Sequence, residues 1–229
     1  MDMHTTIFDT LRLFFAHVFG WMSLGLGVTA ATAWYIFYQN PAVLVTLMSS
    51  PFLLIILFIV QLGLVFWLSS RILSLSFGSA LAMFLLYAFL NGIVFSGIFV
   101  QYTQESIALT FGVACGMFAA MALFGYVTRI NLSPIGVFGY MALWGLIISM
   151  LVNWYFQSET FNLVISGIGV LLFAALTAYD MQRLTALANQ LQGRDDAQRQ
   201  MALFGALMLY LDFINLFLML LSFTGKRRD

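Results

Sequence analysis

The 229-residue sequence is short of charge: nine Lys and Arg and nine Asp and Glu make up 8% of it, and they cancel to a net charge of zero. A water-soluble domain would carry about a quarter of its residues charged, so this chain cannot coat itself against water and its solvent must be largely lipid. With no basic patch beyond Lys226-Arg227-Arg228, nucleic acid is excluded as a partner. The single cysteine, Cys115, rules out an internal disulfide and a cysteine-held metal cluster; inside its apolar run it reads as a small packing residue. No cofactor motif is present. Only three prolines occur. Pro41 reads as a loop residue, whereas Ser50-Pro51 and Ser133-Pro134 read as an N-cap followed by the first helical position.

What the chain has in abundance is apolar surface: 62% of its residues are hydrophobic and the mean hydropathy is +0.99. About 20 apolar residues cross the hydrocarbon as a helix. Seven runs qualify, at 14–38, 51–69, 76–100, 106–127, 134–156, 161–183 and 201–223. The expectation is an all-α integral membrane protein, with a short cytoplasmic segment over 1–13, a seven-helix domain over 14–223 and a polar tail over 224–229. The N-terminus carries Asp2 and Asp9 before Arg12, and the apolar run that follows is too long for the core of a cleaved signal. GVACG at 112–116 is a small-residue face suited to close helix packing. There is no fixed-period repeat and no low-complexity tract.

When loops are assigned to alternating sides, Arg12, Arg71, Arg129, Arg183, Arg194 and Arg199 share one side and Lys226, Arg227 and Arg228 take the other. The positive-inside rule puts the first side, and with it the N-terminus, in the cytoplasm. The terminal cluster then falls outside, against that rule, unless the last segment re-enters rather than crosses.

Two acids stand within this apolar sequence. Asp212 lies in LMLYLDFINLFLML (207–220) and Asp180 in LTAYDMQRL (176–184). A carboxylate inside a span costs about 2.5–3.5 kcal/mol on insertion scales, so it needs a partner or a water-filled cavity. Gly205, Asp212, Asn215 and Ser222 fall on one helical face, which must point inward. The only strongly polar stretch between the acids is QGRDDAQ (192–198), and Asp180 and Asp212 each lie sixteen residues from Asp196. Antiparallel helices rising about 1.5 Å per residue from that turn would bring the two carboxylates to the same height. Thr177 and Asn215, each one turn away, offer supporting hydrogen bonds. Such a pair would share a proton, titrate as a unit, and switch or bind a cation weakly. Arg71, after the second span, is the candidate counter-charge and latch.

Other polar positions have simpler readings. His17 suits a hydrogen-bonded residue near the interface, and Glu105 an anion in the first turn of a helix. Glu159 reads as a solvated loop residue, and Trp21, Trp34, Trp67, Trp144 and Trp154 as interface anchors.

LTAYDMQRL (176–184) and GALMLYLDFINLFLMLL (205–221) resemble the Bax-inhibitor family of membrane proteins, its bacterial branch in particular. YAFLNGIVFSGIF (87–99) with Tyr102-Thr103, and TRINLS (128–133), add to the likeness. The resemblance covers the chain from about residue 12 and implies six helices around a central seventh, in a bacterial inner membrane. It also implies a pH-sensitive calcium leak governed by a di-aspartyl pair, which falls on Asp180 and Asp212, with a latching arginine at Arg71. Met181 stands where the family usually has threonine.

Three functions compete. A cation leak would take calcium and protons as its ions and need no cofactor. An intramembrane aspartyl protease would use the same two acids as acid and base, but Leu209-Tyr210-Leu211-Asp212 lacks the glycines expected before the second aspartate. A regulator of membrane-protein quality control or cell survival would act through a membrane protease or another membrane partner. The leak is the leading expectation, and the chain is expected not to be an enzyme.

Overall fold

The computed structural model describes residues 3–191 and 195–228, which are helical throughout apart from turns and one isolated bridge. The helices are α1 (Met3–Gln39), α2 (Pro41–Ser49), α3 (Pro51–Arg71), α4 (Phe77–Phe95), α5 (Ile98–Gln101), α6 (Gln104–Val127), α7 (Ser133–Phe156), α8 (Glu159–Gln190) and α9 (Asp195–Thr224). Seven stretches among them are long and apolar enough to cross a membrane. A helix satisfies its own backbone polar groups, which is why lipid admits this architecture.

Several boundaries differ from the sequence expectation. Helix α1 already begins at Met3, so most of the expected N-terminal segment is helical and continuous with the helix of the first span, whose apolar stretch starts at Leu11. Pro41 opens α2 instead of lying in a loop; its missing N–H costs nothing at the first helical position. Ser133 is the first residue of α7 and not its cap, because Leu132 takes the cap position. Helix α8 runs on to Gln190, past the expected 183. Of the expected polar turn, residues 192–194 lie outside the described residues, and α9 starts directly after them.

The chain divides into two compact units. The first comprises residues 1–101 and 188–210, and the second residues 102–187 and 211–229. In the first unit α1 packs on α4 through small residues. A Cβ on Gly92 would strike Thr32 and the Thr29 carbonyl, and one on Gly25 would strike the Phe84 ring. Near the end of α3, the Gln200 amide donates to the carbonyls of Ile72 and Leu75 (2.9 Å for the latter), satisfying acceptors that α3 leaves without partners.

In the second unit α8 is pressed against its neighbours by three glycines. Gly125 of α6 lies on the Ala178 carbonyl, Gly136 of α7 beneath the Tyr179 ring, and Gly139 against Leu176. Phe213 stacks edge-on between Phe111 and Phe118, with ring centroids 5.5 Å from each. Burial within the spans is graded: 72% of the α9 window and 56% of the α8 window are covered, against at most 33% elsewhere. Leu203, Leu207, Leu209, Tyr210 and Leu216 of α9 are wholly buried.

Helix α9 continues to Thr224, and its 29-residue span exceeds the roughly 30 Å of hydrocarbon at about 1.5 Å per residue. The tail beyond it is tied to the start of α6. Thr103 N–H donates to the Lys226 carbonyl (3.1 Å), and Lys226 N–H donates to Ser106 Oγ (2.8 Å). Glu159, expected as a solvated loop residue, is solvated but is the first residue of α8, and it lies 3.7 Å from Arg227. Both side chains are largely exposed, so the ion pair adds little stability.

The glycine contacts predict a sharp contrast. Gly125→Ala must displace the Ala178 backbone and should cost about 1–3 kcal/mol. Gly63→Ala, which meets nothing within 4 Å, should be neutral or slightly stabilising. Thermal unfolding of the detergent-solubilised variants would check this, and equal midpoints would refute the close approach.

Candidate functional site

Asp180 and Asp212 are buried to 5% and 6% exposure on α8 and α9 of the second unit. Their carboxyl groups lie within hydrogen-bonding reach of each other. Asp180 Oδ1 and Asp212 Oδ2 are buried and have no hydrogen-bond partner among the described residues. A pair of carboxyls in contact can be held together by one shared proton, while the unmatched oxygen on each keeps the capacity to accept from a further donor or to ligate a cation. No third His, Cys, Asp or Glu joins them in a metal-holding group among the described residues.

The side chains around the pair do different work. Thr177 Oγ1 donates to the Phe173 carbonyl (2.8 Å) and Asn215 Nδ2 to the Leu211 carbonyl (2.8 Å). Both of these bonds stay within their own helices instead of reaching a carboxylate. Arg183 stands one turn beyond Asp180 along α8, three residues away on the same helix. Tyr140 of α7 stands edge-on to Tyr179 at 6.3 Å. Arg71 closes α3 in the first unit, where its side chain is exposed.

Gln182, two residues beyond Asp180, holds the α6–α7 connection from both ends of its amide. Its Oε1 accepts from Leu132 N–H (2.9 Å) and its Nε2 donates to the Ile130 carbonyl (2.8 Å). The segment that carries Asp180 is therefore anchored at three successive places: Ala178 on Gly125, Tyr179 on Gly136, and Gln182 on residues 130–132.

The matched region covers these same elements. Residues 11–229 match the model of the family described as "Inhibitor of apoptosis-promoting Bax1". The chain belongs to the Bax-inhibitor family. It is 46% identical to "Inner membrane protein YbhL" of Escherichia coli strain K12 over 219 residues, covering 95% of this chain and 93% of that one. It is 42% identical over 216 residues to an uncharacterized protein of Borreliella burgdorferi, with 94% and 93% covered. An uncharacterized protein of Deinococcus radiodurans shares 42% over 221 residues.

In this family member the sequence reading missed Tyr210. Within the first unit its hydroxyl lies 2.7 Å from Thr29 Oγ1, which is also 3.0 Å from the Gly25 carbonyl and 2.9 Å from that of Ala88. The single Thr29 hydrogen is taken by those carbonyls, so Tyr210 must donate. Phe84 and Tyr87 stand edge-on to the Tyr210 ring at 5.5 and 6.1 Å. A lone tyrosine in an apolar run carries no signal of its own; only the threonine brought against it reveals the bond.

Thr29→Val strands the Tyr210 hydroxyl and should cost about 1–3 kcal/mol, whereas Tyr210→Phe should cost about 1 kcal/mol. The double variant should lose less than the sum of the two. Strict additivity of unfolding free energies in a double-mutant cycle would refute the bond.

Proposed function

We propose that this protein is a pH-sensitive calcium leak of the bacterial inner membrane, with Asp180 and Asp212 as its switch and its transient ion site. The observation that carries the reading is the contact between two buried carboxyls, each with one unmatched oxygen. At low pH one shared proton lets both acids stay in a dry site. As pH rises that proton leaves, and two like charges in contact repel one another. The deprotonated pair then attracts a divalent cation that prefers hard oxygen ligands. Two carboxylates are too few for tight calcium binding, which favours passage over storage.

The positive-inside rule supports a cytoplasmic N-terminus. Arg71 is kept in this reading as the candidate latch, and Arg183, one turn along α8, is the cation that biases Asp180. No cofactor and no enzymatic step is required. Leu209 and Leu211 leave no glycine-lined approach for a substrate backbone, which weighs against proteolysis by the same acids.

Calcium flux into proteoliposomes, followed from about pH 5 to 8, tests the reading. Wild type should leak with a step in pH, Asp180→Asn and Asp212→Asn should flatten it, and Arg71→Gln should shift it. Folded wild-type protein that passes no ion at any pH would sink the proposal.

A further inference from the structure

A recess of about 500 Å³ lies within the first unit, lined by His17, Trp21, Leu75, Ser76, Phe77, Asp196, Arg199 and Gln200. This volume is in the range of small-molecule sites. The recess is built where spans end and begin: α3 has just closed, α4 opens at Phe77, and Asp196 and Arg199 occupy the first turns of α9. Such helix ends are where a bilayer turns from hydrocarbon to head groups. The Trp21 indole meets the Phe77 ring edge-on at 5.7 Å and supplies an amphipathic wall of the kind found at that level.

The charges in the recess are balanced. Asp196 and Arg199 stand three residues apart on α9, as neighbours on one helical face. Neither forms an ion pair among the described residues, although they could have reached each other. Both therefore face the recess with their charge available. A guanidinium recognises a phosphate through paired N–H donors, and a carboxylate recognises a primary ammonium through its N–H groups. A group that satisfies both at once has a phosphodiester and a primary amine a few bonds apart.

We infer that this recess binds an ethanolamine phosphodiester, with the phosphate on Arg199 and the ammonium on Asp196. The same head-group chemistry occurs in phosphatidylethanolamine and in its soluble deacylated form. A purely anionic glycerol head group would leave Asp196 facing its negative charge. A choline head group, whose nitrogen bears no hydrogen, could not donate to the carboxylate. His17 adds a ring nitrogen to the lining and Trp21 an apolar face, while the Gln200 amide hydrogens are already taken by Ile72 and Leu75. The inference does not depend on the leak.

The test uses the full-length protein in detergent, incubated with equal amounts of short-chain phosphatidylethanolamine, phosphatidylglycerol and phosphatidylcholine, with retained lipid read by native mass spectrometry. Wild type should retain the ethanolamine lipid about tenfold better than the other two, the worth of one charge-assisted hydrogen bond. Asp196→Asn should lose that preference over phosphatidylglycerol, and Arg199→Gln should lose binding of both. Arg227→Gln, at the tail and not among the residues that line the recess, should behave as wild type. Displacement by glycerophosphoethanolamine would identify the head group alone as the ligand. Retention against it would show that the acyl chains take part. Equal retention of all three lipids by wild type, or an unchanged preference in Asp196→Asn, would overturn the inference.

Discussion

Hydrocarbon offers a carboxylate no water, so an acid placed in a membrane helix must find its partner in the protein. In this chain Asp180 and Asp212 find each other. The demand reaches beyond two side chains, because a contact between carboxyls tolerates little play in the helices that carry them. Helices α8 and α9 are accordingly the two most covered, and the most exposed span, α3, has only 11% of its window buried. The polar pair and the packing around it are one arrangement seen at two scales.

That packing is achieved by removing side chains. Gly125, Gly136 and Gly139 let the backbones and rings of α8 approach α6 and α7 to distances that even a methyl group would prevent. Without a hydrophobic force between helices in lipid, close van der Waals contact is the main source of cohesion, and small residues provide it. All three contacts fall within Leu176–Tyr179, the four residues leading to Asp180. The acid is positioned by its neighbours' surroundings more than by bonds of its own.

Helix ends use a second device. Each leaves carbonyls or N–H groups without partners, and a glutamine from a distant segment takes them up: Gln200 on residues 72 and 75, Gln182 on residues 130 and 132. The tail performs the same service for the start of α6 through Lys226. These are local polar contacts made across long stretches of sequence, so they fasten the units where the apolar contacts stop.

The sequence by itself determined the membrane class, the seven spans and the two acids that have no business in hydrocarbon, because each follows from transfer energies of single residues or short runs. Family membership was legible in the same two segments. Helix limits were less so: Pro41 and Ser133 both allowed another reading, since a proline or serine marks a helix start without saying which residue is first. The contact between the acids rested on a counting argument that only the three-dimensional placement could replace. Tertiary structure alone decided that Thr177 and Asn215 bond within their own helices and that Tyr210 donates to Thr29. The Tyr210–Thr29 bond joins residues 181 apart in sequence, and periodicity along one helix carries no record of its neighbour. The Thr177 and Asn215 bonds are local, but sequence alone does not say whether such a side chain turns to its own backbone or across to another helix.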